Sequence, residues 1–177
     1  MIDFGPYAED KLLPIEECGK VRGNIRVPSS LVEITKIITD KFWAQMVAEE
    51  FSDQTVDAIP VPALVRLFDW VPSAQLGLMG LKVSADPEKQ HLVLTSSCTE
   101  HEDHIFGLTL MWVLRADGAL AFRQTEQGVW HWHEVGDWYI FDDRVPHEVE
   151  VVKKNPTDPE PEFEAVYCAW CVKLERL

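Results

Sequence analysis

Several things are scarce in this sequence, and each scarcity excludes a class of protein. There are 4 cysteines in 177 residues. That is too few for a disulfide-built scaffold and points to a reducing, cytoplasmic setting. No apolar run approaches the roughly 18 residues that a membrane-spanning helix needs. The start, Met1-Ile2-Asp3-Phe4-Gly5, has no basic stretch leading into an apolar one, so no secretory signal is expected. Basic residues number 16 against 30 acidic, a net charge of −14. Such a chain repels phosphate backbones, which argues against non-specific nucleic-acid binding. A basic partner, or a small-molecule or peptide substrate held in a cavity, fits better. No internal repeat is visible.

Apolar material is plentiful. Hydrophobic residues make up 46% of the chain, with 7 Trp and 8 Phe, so it is not a disordered segment. A globule of this length buries about 70% of its unfolded surface and needs no metal or disulfide to fold. The first 75 residues read as a segment with packing helices. Ser30 and Glu33 form a capping box, and Leu31, Ile34, Ile37, Ile38, Phe42 and Met46 recur at helical spacing behind it. A shorter helix is expected from Pro62 through Phe68. From residue 76 to 177 the texture is that of strands: Leu76–Ser84, His91–Ser97, Leu108–Leu114, Ala119–Thr125, Val129–Val135, Trp138–Phe141, Glu148–Val152 and Ala165–Leu174. Arg115-Ala-Asp-Gly118 reads as a hairpin turn, Gly136-Asp137 as a second turn, and Lys153–Glu162 as an exposed proline-rich loop. Short strands at this spacing imply a sandwich or barrel.

Cys168-Ala-Trp-Cys171 has CxxC spacing but lies in an apolar strand, where positions three apart face opposite ways. Buried strand cysteines are the expectation. Thr99-Glu-His-Glu-Asp-His104 is the segment with chemistry. If it is extended, His101 and Asp103 share a face, about 6.6 Å apart along the strand, and can converge on one cation. His147, in Arg144-Val-Pro-His-Glu-Val149, is the best third ligand. Two imidazoles and one carboxylate leave positions open on a metal, as in non-haem Fe(II) oxygenases. Trp130-His-Trp-His-Glu134 offers a second HxH pair on one face, His131 and His133, which opens the metal motif of cupins.

Asp117-Gly-Ala-Leu-Ala-Phe-Arg123 and Val135-Gly-Asp-Trp-Tyr-Ile-Phe-Asp-Asp-Arg-Val-Pro-His-Glu-Val149, taken after the HxD, resemble the distal half of the prolyl-hydroxylase-like Fe(II)/2-oxoglutarate dioxygenases. The resemblance covers about residues 91–174. It implies a mostly β (α+β) chain whose core is a double-stranded β-helix, jelly-roll or cupin-like, with N-terminal packing helices. It also implies Fe(II) on His101, Asp103 and His147, and 2-oxoglutarate as cosubstrate. The family's arginine for the far carboxylate of 2-oxoglutarate is missing: Thr157 stands near its place, and Val113 replaces the usual strand tyrosine. A buried carboxylate needs a cation. Arg123, alternating with Ala119 and Ala121, is the substitute expected here, with Arg115 behind it. The expectation is therefore an Fe(II)/2-oxoglutarate oxygenase acting on a small molecule or side chain. The alternatives are a cupin-type metal protein that does not use 2-oxoglutarate and a non-catalytic acidic binding protein.

Overall fold

The computed structural model describes residues 22–48, 57–59, 67–95, 98–103, 106–116, 119–124, 129–152 and 167–177. In chain order these form β1 (Arg22–Asn24), α1 (Ser29–Ala48), β2 (Asp57–Ile59), α2 (Ser73–Leu78) and β3 (Leu81–Val83). Then follow β4 (Gln90–Thr95), β5 (Cys98–His101), β6 (Leu108–Ala116), β7 (Ala119–Gln124), β8 (Val129–His133), β9 (Asp137–Asp142), β10 (His147–Val152) and β11 (Tyr167–Arg176). No helix among the described residues is long and apolar enough to cross a membrane.

The strands form two antiparallel sheets. The larger has the order β1-β9-β6-β11-β4-β2, with β3 pairing the end of β11; the smaller has the order β5-β10-β7-β8. From β4 to β11 the chain passes back and forth between them, apart from the β7–β8 pair that stays in one sheet: β4, β6, β9 and β11 in the large sheet, β5, β7, β8 and β10 in the small one. The spatial orders 4-11-6-9 and 5-10-7-8 are two interlocked Greek keys. This is the double-stranded β-helix, a jelly roll.

The two sheets differ in sequence texture for a physical reason. The large sheet is covered on both faces, by the small sheet within and by α1 without. Its strands are therefore buried throughout, as in β6, where Leu108–Leu114 are all buried. The small sheet has one face in solvent, so β8 and β10 alternate: His133 is buried and Trp132 is exposed; Val149 is buried and Glu150 is exposed.

The helical region departs from expectation in three ways. First, α1 begins two residues earlier than the capping box predicts, with Pro28 rather than Ser30 at the cap position. Pro28 O accepts the N–H groups of Leu31 and Val32 at 2.9 and 3.0 Å, which puts Ser30 inside the first turn. The docked stripe is Leu31, Thr35, Ile38 and Thr39, while Ile34 and Ile37 are exposed. Thr35 and Thr39 occupy buried positions that a hydropathy pattern does not credit. Second, Leu76 is not in a strand: Ser73–Leu78 is a helix turned so that Leu76 is buried and Leu78 is 86% exposed. Gly80, at φ +71°, then redirects the chain into β3, which is only Leu81–Val83. Third, Leu67–Trp70 is a 3-10 turn, and most of the helix expected from Pro62 lies outside the described residues. So do the Asp117-Gly118 turn and the proline-rich loop after Val152.

Candidate metal centre

His101 ends β5, His147 begins β10, and the two are direct cross-strand partners. Between them and the Val149–Cys98 pair, two residues of β10 span three of β5. Such an irregularity bends the strand and re-aims its side chains, as is common next to active sites. The two imidazole rings meet at 4.4 Å between centroids. Asp103 follows on the loop leaving β5. Its Oδ1 lies 3.4 Å from His101 Nε2 and its Oδ2 lies 3.5 Å from His147 Nε2. The ligand atoms of all three residues lie within 4.8 Å of one another, and no other such cluster occurs among the described residues.

The donor set suits a metal ion. His147 is buried, and its Nδ1 lies 2.9 Å from Val145 O. With Nδ1–H donating to that carbonyl, the Nε2 lone pair points at the Asp103 carboxylate. Two acceptors held face to face need a cation or a proton between them. A cation about 2.0–2.2 Å from each ligand atom sets neighbouring ligand atoms about 3–3.5 Å apart, and the two His–Asp separations are 3.4 and 3.5 Å. Burial alone would raise the Asp103 pKa. The hydrogen bond and charge of His147, with the charges of His101 and His91, outweigh burial and hold the carboxyl below its usual value. Asp103 is therefore ionised at neutral pH, as a ligand must be.

A second aspartate builds the loop. Asp143 is buried, and its carboxylate accepts the N–H groups of Phe106 and Gly107, both at 2.7 Å. Its backbone oxygen accepts Asp103 N–H at 2.9 Å, and its own N–H donates to Gly107 O at 2.9 Å. One residue thus clamps the turn that presents Asp103. Gly107 adopts φ +80° there, and a Cβ would meet the Arg144 guanidinium at 3.1 Å. Burial raises the Asp143 pKa; the two amide bonds oppose it, while Asp103 and Asp142 add to the rise. Asp143 was not legible as a functional residue. The Asp142-Asp143 pair just before Val145-Pro146-His147 was its only signal.

The two arginines expected to anchor a cosubstrate are elsewhere. Arg123 is opposite Glu148 across β7 and β10, whereas Gln124 is opposite His147. Neighbouring strand residues face opposite ways, so Arg123 lies on the outer face of the small sheet. There it pairs with Glu148 and lies over the Trp130 ring, 4.5 Å from its centroid. Arg115 sits on the outer face of the large sheet, where Nη1 bonds Thr39 Oγ1 and Asp40 Oδ1 on α1. Strand parity corrects the first expectation; Arg115 has the parity of inward-facing Met111 and is turned outward at the register shift opposite Cys168 and Ala169. Among the described residues, the inner positions below the triad carry no Lys or Arg. Lys173 shares their parity but lies towards the rim, opposite Thr109.

His131 and His133 do turn inward, opposite Phe122 and Leu120, but they lie apart from the triad. His133 stacks on Tyr139 at 4.0 Å with the planes 10° apart. Burial pulls its pKa down to about 4, with Asp137 opposing and Arg22 and His131 assisting. Cys168 and Cys171 are buried free thiols. Burial pushes Cys168 up to about 12 and Cys171 well above its ordinary value, so neither is a ready thiolate.

Fold and site together define the class: a double-stranded β-helix protein with a candidate His–Asp–His metal centre. No protein-family model matches the chain, and no curated protein matches it. Solved structures similar to it include AviO1 from Streptomyces viridochromogenes Tue57, at 12% identity and TM-score 0.45 over 91% of this chain and 94% of that one. A Pseudomonas putida prolyl-4-hydroxylase is similar at 16% identity and TM-score 0.43, over 86% and 90%. An RmlC-like cupin protein from Desulfovibrio desulfuricans is similar at 14% identity and TM-score 0.33, over 52% and 79%. At these values the likenesses carry no weight for activity; the strand order defines the fold.

Proposed function

We propose that this protein is a mononuclear Fe(II) oxygenase that hydroxylates a small molecule or a peptide side chain at the mouth of the barrel. The reading is carried by one observation, the convergence of His101, Asp103 and His147 at the rim. Two neutral imidazoles and one carboxylate give a divalent ion a net charge of +1, which favours an anionic ligand in the remaining positions. Iron bound there would supply the oxidation chemistry. The chain's own residues hold the ion, keep His147 in one tautomer through Val145 O and fix Asp103 through Asp143.

2-Oxoglutarate as cosubstrate belongs to this reading. Arg123 and Arg115 face away from the site, and the basic residue of β11 that shares the inner parity, Lys173, lies towards the rim. That observation favours a second reading, a cupin-type metal protein that does not use 2-oxoglutarate. Calorimetric titration of 2-oxoglutarate into anaerobic protein loaded with Mn(II) separates the two. Micromolar binding that is lost in Asp103→Ala supports the 2-oxoglutarate oxygenase. Metal binding with no 2-oxoglutarate binding supports the second reading. Absence of metal binding defeats both and leaves a non-catalytic binding protein.

A further inference from the structure

His91 occupies a position that the metal reading leaves unused. It lies at the start of β4, opposite Cys171 of β11, which in turn is opposite Met111 of β6. This row faces the barrel interior, because the alternate residues face outward: Trp170 stacks edge-on with Phe68 on the helical side. His91 therefore stands on the inner wall of the large sheet at rim height. Its ring packs on Phe106 at 4.9 Å between centroids, the planes tilted by 36°. Phe106 belongs to the turn that Asp143 clamps, so the same clamp presents Asp103 to the triad and sets Phe106 against His91. His91 and Asp103 lie within electrostatic reach of one another.

The three triad residues all come from the small sheet and the loop that leaves it. His101 and His147 are cross-strand partners on the inward row of the small sheet, so an ion held by them would lie between that sheet and the large one. His91 is on that wall, half-buried, with no hydrogen bond to its ring among the described residues, and outside the set of ligand atoms that lie within 4.8 Å of one another. A neutral imidazole so placed offers one N–H donor to a ligand oxygen. We propose that His91 is a ligand-binding residue: it donates a hydrogen bond to an oxygen of a small carboxylate that completes the coordination of the metal. The inference rests on the metal reading and names a binding partner within that site.

The test uses Co(II) as the metal and oxalate as the probe, under anaerobic conditions. Binding is followed by the visible Co(II) spectrum and by calorimetry. The variants are His91→Phe, which keeps a ring against Phe106 but has no donor, and His91→Gln, which restores a donor. Thermal melts check that both fold. In His91→Phe, Co(II) affinity is expected to stay within about two-fold of wild type, while oxalate affinity falls about ten-fold, the effect of one hydrogen bond to a charged group. His91→Gln is expected to recover part of that loss. Oxalate affinity unchanged in His91→Phe overturns the proposal. So does a parallel loss of Co(II), which would make His91 a metal ligand. Wild type that takes Co(II) but no oxalate overturns the proposal and leaves the metal centre standing. Wild type that takes no Co(II) overturns the metal reading as well.

Discussion

His133 is fully enclosed in the barrel, and neither ring nitrogen has a hydrogen-bond partner among the described residues. A buried polar group left unsatisfied costs about 1–3 kcal/mol, so His133→Phe, which keeps the stack on Tyr139, is expected to raise the urea midpoint. The sign of its pH effect follows from the depressed pKa. The unfolded chain protonates near 6.5 and the folded one near 4. The contribution is therefore complete above 6.5 and is lost as pH falls from 6.5 to 4, by about 3 kcal/mol in all. Wild type should lose more stability than His133→Phe between about pH 7 and pH 5; equal losses would show that His133 has a partner. Arg123 gives the opposite kind of prediction. On the outer face, its pair with Glu148 and its contact with Trp130 should contribute about 1 kcal/mol to stability. Arg123→Ala should accordingly lower the melting temperature slightly and leave the affinity for a metal-bound ligand unchanged.

At the scale of elements, the decisive piece is the turn between β5 and β6. Asp143 satisfies four of its backbone groups through side chain and main chain together. Asp143→Ala would leave the Phe106 and Gly107 amides without acceptors at a cost of about 3 kcal/mol. It should also weaken metal binding, because Asp103 is no longer held in place; a calorimetric titration with Mn(II) checks this. Stability lost with metal affinity intact would assign the clamp to folding alone. The strands were largely legible. The buried runs in β6, β9 and β11 and the alternation in β8 and β10 follow directly from two covered faces against one. The helices were less legible. Thr35 and Thr39 are buried where Ile34 and Ile37 were expected, and Arg115 reaches Thr39 Oγ1 from the outer face of β6. A polar residue with a buried partner is indistinguishable by composition from one in solvent.

At the scale of the whole molecule, a metal that binds only the folded state stabilises it by mass action, by about 2.7 kcal/mol at a hundred-fold excess over Kd. For a chain of this size that corresponds to a rise of about 5–10 °C in Tm. The rise should appear with Mn(II) or Co(II) in wild type and vanish in Asp103→Ala without loss of the fold. An equal rise in the variant would place the metal elsewhere. The sequence offered His101, Asp103 and His147 as one candidate set, because an HxD is followed 44 residues later by a histidine in a segment that resembles a known family. The inward face of each strand was not determined locally. A one-residue change of parity moves a side chain from core to solvent, and only the pairing of β7 with β10 sends Arg123 outward. The sequence by itself determined a β-rich sandwich or barrel pattern, and with its family resemblance it named the three candidate ligand residues. Tertiary structure decided that His91 faces them, that Asp143 holds their loop and that neither arginine joins them, because those relations rest on cross-strand register between segments far apart in the chain.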